Sequence, residues 1–206
     1  MLDVHVLVLP GLPEEWIEQR RASIAAAVRA AGYPVVVHDV EGIPNHLGKA
    51  RKKGYSFGAM PYVTHVDHDD YVTEDAFRVL REHLLSGVDC VTTGETILYE
   101  SGIERKAPES KHHLAVFKRE ITIASPLDRM KHFPDQLLPT RCTSVHVPEC
   151  VYVHRVYKNS ASRIERGKDS AGVREEGKIV SNPSLLSVEL MTTNQIEDEI
   201  EGWLHG

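Results

Sequence analysis

The sequence is poor in cysteine and has no long hydrophobic segment. Its three cysteines, Cys90, Cys142 and Cys150, do not have the spacing of metal ligands. Because structural disulfides belong to oxidising compartments, so few cysteines favour a reducing cytoplasm. No apolar run approaches the length of a membrane span, and the opening residues Met1-Leu2-Asp3 lack the basic leader and apolar core of a signal peptide. We therefore expect a cytoplasmic protein without a membrane span.

The sequence also lacks an excess of positive charge. Its formal net charge is −6 at pH 7, which argues against a broad electrostatic contact with nucleic acid but allows a local basic groove. With 206 residues, of which 41% are hydrophobic and 26% charged, the chain is long enough for one domain with a small appendage. This composition predicts a soluble globular protein with a buried core.

Apolar, strand-like runs alternate with amphipathic helical segments along the first part of the chain. Such alternation predicts an α/β fold, here with three α/β/α layers and a mixed, mainly parallel sheet. Residues 100–118 are polar and predicted to be irregular as far as Leu114. We assign residues 1–163 to one domain and residues 164–206 to a C-terminal extension with a terminal helix near 194–204. The predicted strands are residues 4–9, 35–37, 62–66 and 88–93, and the predicted helices are residues 14–31, 45–53 and 74–85.

An acidic tetrad, Asp67-His68-Asp69-Asp70, follows the predicted strand 62–66. Clustered acids repel one another, so a compensating cation is expected beside them. Mg²⁺ and Mn²⁺ prefer oxygen ligands and are often held by one or two carboxylates together with substrate phosphates. An open α/β sheet binds its ligand beyond the carboxyl ends of its strands, where this tetrad lies. The tetrad therefore suggests a metal-diphosphate site; a solvated turn is the alternative.

Two segments resemble motifs of the family 2 glycosyltransferases. Residues 48–54 carry the family's Ala-Arg pair and following glycine, with Lys52 in place of the usual Asn, and they precede the acidic tetrad as in the family. Downstream, residues 152–163 resemble the family's closing Tyr-Arg-x-His-x-x-Ser-x-Ser motif. The resemblance covers roughly residues 4–163. It implies the GT-A fold, a Rossmann-like α/β domain that binds a nucleotide-diphosphate sugar.

The resemblance also implies a donor site built from several loops. The turn after the first strand would cover the nucleotide, and Asp39 matches the position where the family places an acid against the base or ribose. A carboxylate can accept hydrogen bonds from an imide N–H or from hydroxyls, although Asp39 could equally cap a turn. Arg155 and Lys158 are candidates for diphosphate contacts, with simple surface solvation as the alternative. The predicted donor-binding residues are Pro10, Asp39, Arg51, Asp67, Arg155 and Lys158.

The predicted metal ligands are Asp67, Asp69 and His154, and the expected ion is Mn²⁺ or Mg²⁺. In an extended segment alternate side chains share a face, so Asp67 and Asp69 are expected to point together. The resemblance implies that Asp69 is the most direct ligand, while Asp70 could instead cap the next segment. The family's closing motif often supplies a histidine ligand. Here Tyr157 occupies that position and His154 lies three residues earlier, so the third ligand stays open.

An inverting sugar transfer also needs a general base on the acceptor side. The resemblance implies Asp135 for this role, because Leu138 and Arg141 follow it at the family's spacing. Pro134 departs from the pattern, since the family has Glu there, and an N-cap is the alternative role for Asp135. The pair His112-His113 has no motif around it and receives no role.

The sequence thus predicts a metal-dependent, inverting glycosyltransferase that uses a nucleotide-diphosphate sugar, with a UDP-sugar as the expected donor. The acceptor hydroxyl could belong to a polysaccharide, a glycoconjugate or a small molecule, with hydroxylated bases of viral DNA as a minority option. One alternative is a catalytically silent binding module on the same fold. A nucleotidyltransferase is the other, although Leu9-Pro10-Gly11-Leu12-Pro13 lacks the Gly-rich, Lys-containing signature of that class.

Overall fold

The computed structural model describes residues 1–43, 46–111, 113–129, 138–139 and 142–157. The chain divides into two compact units, and the first comprises Met1–Leu98 and Glu104–Arg155. In the second unit, Tyr99–Ile103 forms a turn closed by a hydrogen bond from the Tyr99 amide to the Ile103 carbonyl (2.9 Å). The predicted domain boundary after residue 163, Lys158, Asp135 and the predicted terminal helix lie outside the described residues.

Three parallel strands form one end of an eight-stranded sheet. Strand β1 (Leu2–Val8) pairs in parallel with β2 (Val35–Glu41) on one side and with β3 (Tyr62–Val66) on the other. All of β3 and all but the last residue of β1 are buried, as their nearly continuous apolar sequences predict for strands covered on both faces. In the order β2-β1-β3, strand β2 is at the edge of the sheet.

The rest of the sheet contains antiparallel pairs. Strand β7 (Val116–Lys118) pairs antiparallel with β3 and with β5 (Cys90–Tyr99), and β6 (Glu104–Ala107) pairs antiparallel with β5. Strand β4 (Tyr71–Val72) pairs antiparallel with β8 (Ser144–Val156). The strand order is β2-β1-β3-β7-β5-β8-β4, with β6 beside β5. The predicted α/β fold with a mixed sheet is therefore confirmed.

The helices that accompany this sheet include α1 (Glu14–Ala30), α2 (Leu47–Tyr55), α3 (Arg81–Ser86) and α4 (Arg119–Ala124). Helix α1 has two acids in its first turn and ends before Gly32, which adopts φ 72°, as helix-end patterns predict. None of the helices in the described part of the chain is long and apolar enough to cross a membrane.

Several predicted boundaries differ from the structure. The predicted helix 74–85 begins only at α3, after a turn and the 3₁₀ segment Arg78–Leu80. The backbone bonds before α3 include i→i+3 bonds, from the Ala76 amide to the Thr73 carbonyl (3.1 Å) and from the Leu80 amide to the Phe77 carbonyl (3.3 Å), which form tighter turns than an α-helix. Strand β5 continues past Gly94 to Tyr99. The stretch from residue 100 to Leu114, predicted to be irregular, contains β6; three of the four β6 residues are exposed, so this strand has no apolar alternation to reveal it.

Candidate functional site

The acidic loop, Asp67–Asp70, lies directly after β3 and immediately before β4. Arginines from three different elements hold it. Arg20 on α1 donates to the carbonyl oxygen of the second loop residue, and Arg155 on β8 donates to the carbonyl of the third. Arg51 on α2 donates to the carboxylate of the first. The sequence predicted compensating positive charge here, and these guanidinium groups supply part of it.

Arg51 and Asp67, both predicted to contact the donor, bind each other. Arg51 Nη2 donates to Asp67 Oδ1 at 2.6 Å, and the arginine side chain is only 1% exposed. Burial opposes ionisation of Asp67, but the positive charges of Arg51 and nearby histidines outweigh it and hold the pKa of this carboxyl well below its usual range. Asp67 is therefore an anion fixed by a buried cation.

Asp70 is fully buried, and its carboxylate bonds to β8. One oxygen accepts hydrogen bonds from the Tyr152 hydroxyl (2.8 Å) and lies 3.2 Å from His154 Nδ1. The other oxygen accepts from the backbone amide of Arg155 at 2.8 Å. Asp70 therefore ties the acidic loop to β8, a contact that its expected role as a cap of the next segment did not include.

Asp69 lies next to this buried carboxylate. Burial and the neighbouring Asp70 raise the pKa of Asp69 to about 6. His68 Nδ1 lies 3.5 Å from its carboxylate. A further cation placed beside such an acid would stabilise its ionised form and lower its pKa.

His113, to which the sequence analysis gave no role, contacts two rings of β8. Its ring is stacked on Tyr152 with centroids 4.8 Å apart and on His154 with centroids 4.5 Å apart. His113 Nδ1 bonds to the Glu95 carboxylate, whose other oxygen accepts from Ser110 Oγ at 2.8 Å. Despite burial, the Glu95 charge raises the pKa of His113 to about 10, and His113 lowers the pKa of Glu95 to about 2.

Three of these side chains could hold a metal ion. One ligand atom each of Asp70, His113 and His154 lies within 4.8 Å of the other two. Two imidazole nitrogens and a carboxylate oxygen form a donor set that fits a divalent metal. His154 belongs both to this group and to the ligands predicted from the sequence, whereas Asp67 and Asp69 lie in the same loop as Asp70 but outside the group.

Asp39 lies at the end of the sheet where the acidic loop begins. It is exposed within β2 and pairs in register with Val6 of β1, whose partner on β3 is Val66, the residue before the loop. Strand β2 continues to Glu41, so Asp39 is part of the strand and does not cap a turn there. Pro10 is exposed in the turn that follows β1.

Arg155, predicted to contact a diphosphate, is held within the protein. It is 5% exposed, and its guanidinium lies 4.8 Å from the centre of the Trp16 ring and 4.7 Å from that of Tyr71. A further bond joins it to the side-chain oxygen of Gln19. Together with the bond from Arg155 to the Asp69 carbonyl, these contacts fix β8, α1, β4 and the acidic loop to one another.

Sequence reasoning missed Arg20, Glu95 and His113. Arg20 could have been found, because Arg20, Ile24 and Ala27 follow helical i, i+4, i+7 spacing and form the buried stripe of α1. A charged residue on such a stripe indicates a buried partner. Glu95 and His113 gave no comparable signal, since they meet only when β5 and the chain before β7 come together.

Similarity to solved structures shows the fold. The structure is similar to TarS from S. aureus, residues 1–349, with a TM-score of 0.53 and 12% sequence identity over 75% of this chain and 60% of that chain. For TarS in complex with UDP the TM-score is 0.53, with 15% identity over 75% and 60% of the two chains. For TarS in complex with UDP-GlcNAc the TM-score is 0.51, with 12% identity over 77% of this chain and 59% of that chain.

The chain thus spans about 60% of the TarS chain that it matches. No protein-family model matches the sequence, and no curated protein matches it. At these identities the likeness shows a distantly similar α/β fold.

Proposed function

We propose that the chain is a metal-dependent, inverting glycosyltransferase that moves a sugar from a nucleotide-diphosphate donor to a hydroxyl acceptor. The observation that carries this proposal is the position of the acidic loop. It begins at the carboxyl end of β3, beside β1 and β2, in a fold similar to a protein solved with UDP and with UDP-GlcNAc. Ligands of open α/β sheets bind beyond this end of the strands.

The donor would bind along the ends of the three parallel strands. Exposed Asp39 is suited to accept hydrogen bonds from the base or ribose, and Pro10 in the turn after β1 would cover the nucleotide. Arg20 is a further candidate, because its buried Nε has no hydrogen-bond partner within the described part of the chain. A phosphate oxygen is a suitable acceptor for such a group.

A divalent metal would be held by Asp70, His113 and His154, with Asp69 beside them. Bound there, it would neutralise the charge that develops on the departing diphosphate. The arginine contacts fix the backbone of the acidic loop, so its carboxylates are already oriented before a donor arrives. Such preorganisation reduces the rearrangement required in the transition state.

We also propose Asp135 as the general base that takes the acceptor proton. Its loss should slow transfer without weakening donor binding, because a general base acts in the transition state. We expect Asp135→Asn to reduce the rate of transfer by roughly a hundredfold or more, with nearly unchanged donor affinity. Transfer at the normal rate by this variant would exclude Asp135 as the base.

Binding and turnover of nucleotide sugars test the proposal. UDP-GlcNAc and other UDP-sugars are screened with Mn²⁺ for thermal stabilisation and for release of UDP, and the affinity for UDP is then measured. Asp39→Ala should weaken UDP binding by roughly ten- to a hundredfold, as expected for a hydrogen bond to a charged group. Asp75→Ala, which removes an exposed acid before α3, is the matched control and should leave the affinity unchanged.

The outcomes separate the alternatives. Binding of UDP-sugars without turnover would favour a catalytically silent module on this fold. Release of pyrophosphate from a nucleoside triphosphate would favour a nucleotidyltransferase. If neither UDP nor any nucleotide sugar binds, the proposed function is wrong.

A further inference from the structure

We propose that Glu95 is a positioning residue that orients His113 in a metal site preferring nitrogen-binding transition ions, such as Co²⁺ or Zn²⁺, over Mg²⁺. This inference rests on the proposed metal-dependent function. It names the class of metal that the site would bind and a residue that contacts one of its ligands. It requires that Asp70, His113 and His154 act as one ligand group.

The Glu95 carboxylate is held at both oxygens. It lies on β5, is 6% exposed, and accepts a hydrogen bond from Ser110 Oγ at 2.8 Å through one oxygen. Its other oxygen bonds to Nδ1 of His113. Since Nδ1 faces this carboxylate, Nε2 is the nitrogen through which His113 would coordinate a metal. A carboxylate behind a ligating histidine fixes both the tautomer and the orientation of the ring.

The backbone beside His113 has an uncommon conformation. Leu114 has φ 48°, the left-handed region that residues other than glycine rarely adopt, and its side chain is fully buried. Buried packing of this leucine therefore holds the chain in a turn that helps to set the direction of the neighbouring histidine. Uncommon backbone conformations persist where the surrounding structure imposes them, and they cluster at functional sites.

The rings of β8 limit the position of His113 further. Stacking against both Tyr152 and His154, at interplanar angles of 11° and 18°, leaves the imidazole little freedom to tilt. Tyr152 also donates to Asp70, so the same side chain contacts two of the three candidate ligands. The Glu95 contact and the stack together orient the histidine before any metal binds.

The donor set decides the class of metal. Mg²⁺ prefers six oxygen ligands in a near-octahedral arrangement and keeps much of its hydration. Imidazole suits the later divalent ions, whose affinity for nitrogen ligands generally increases from Mn²⁺ towards Cu²⁺. Two histidines among three candidate ligands therefore favour a transition ion. An internal network of ion pairs, without any metal, is the alternative that an experiment must exclude.

Titration of the full-length chain with Co²⁺ alone tests the inference, with heat of binding and the visible d–d absorption as the two measurements. We expect at least about tenfold weaker binding of Mg²⁺ than of Co²⁺. Glu95→Gln should weaken Co²⁺ binding by about 10- to 100-fold and change the d–d spectrum. Glu104→Gln, which alters an exposed acid on β6, is the matched control and should match the unmodified protein in both measurements.

Two further variants make the outcome decisive. Ser110→Ala leaves Glu95 in place but removes its hydrogen bond, so we expect a smaller loss of Co²⁺ affinity and retained folding. His113→Ala should remove most of the binding. Unchanged Co²⁺ affinity and spectrum in Glu95→Gln, or equally tight binding of Mg²⁺, would overturn the inference. If UDP-GlcNAc binds and turns over while Co²⁺ does not bind, the inferred metal site is wrong and the proposed sugar transfer stands. If Co²⁺ binds but no nucleotide sugar binds, the metal site stands and the proposed sugar transfer is wrong.

Discussion

At the scale of single residues, the acidic loop has partners of different kinds. Asp67 bonds to a buried guanidinium, Asp70 accepts hydrogen bonds from β8, and Asp69 lies beside His68. Two acids of one short loop therefore have separate environments and opposite pKa shifts, downward for Asp67 and upward for Asp69. These differences follow from the neighbours that the fold supplies, since the chemical groups are identical.

The pair of Arg51 and Asp67 gives a prediction about stability. Arg51→Met leaves the Asp67 carboxylate without its buried cation, and losing one partner of such a pair costs about 3–5 kcal/mol of unfolding free energy. The double variant Arg51→Met/Asp67→Asn should recover part of this loss, because no charge is then left uncompensated. Urea denaturation measures both. Arg105→Met, which changes an exposed arginine on β6, is the control. If Arg51→Met lowers the unfolding free energy as little as Arg105→Met does, the pair of Arg51 and Asp67 is not a buried ion pair.

The sequence contained part of this residue-level information. Arg51, Asp67, Arg155 and His154 were all selected by motif, and all four lie at or beside the acidic loop. Their contacts with one another could not be predicted, because a motif gives the order of residues and does not show which side chains bond within the fold. Glu95 and His113 were missed since their contact depends on long-range strand pairing.

At the scale of elements, β5 passes close to other backbone segments at Gly94. A Cβ added at this glycine would lie 2.8 Å from the Pro148 carbonyl oxygen and 2.9 Å from Pro108 Cα. Both are backbone atoms, so the neighbouring segments would have to move. Glycine thus permits β5 to continue through this position towards Glu95, which explains why it does not end the strand.

Gly94→Ala tests this close approach. We expect a loss of about 1–3 kcal/mol in the free energy of unfolding, the usual cost of overpacking a buried position. Gly42→Ala is a suitable control, because the nearest atoms there belong to the flexible side chain of Leu9 and can move aside. Chemical denaturation compares the two variants, and a Gly94→Ala protein as stable as the unmodified one would rule out the constraint.

Element prediction succeeded where one pattern dominates. Helix α1 has apolar residues at helical spacing, and strands β1 and β3 are short, mostly apolar runs; all three were predicted close to their observed bounds. Strand β6 was missed because its sequence Glu-Arg-Lys-Ala is mostly exposed and is a strand through its pairing with β5. Residues 74–85 were predicted as one helix because their apolar residues keep helical spacing throughout. The turn and the 3₁₀ segment before α3 are defined by backbone hydrogen bonds, which this spacing does not show.

At the scale of the whole molecule, buried ion pairs make stability depend on pH. The folded state lowers the pKa of Glu95 to about 2 and raises that of His113 to about 10. The Glu95 contribution is present above pH 4.5 and is lost as pH falls towards 2. The His113 contribution is present below pH 6.5 and is lost as pH rises towards 10. The fold should therefore lose stability towards both extremes.

The alkaline side gives a specific test. Between pH 6.5 and 10 the folded chain keeps a proton on His113 that the unfolded chain releases, so unfolding free energy should fall with rising pH. One proton corresponds to about 1.4 kcal/mol per pH unit, an upper bound for this group alone. His113→Gln should flatten the decline, while His83→Gln on α3 should preserve it. Urea denaturation at pH 7 and pH 9 measures the change in unfolding free energy with pH for each protein. A chelator is present so that no metal replaces the proton on His113. Equal changes in all three proteins would show that His113 is not the group responsible.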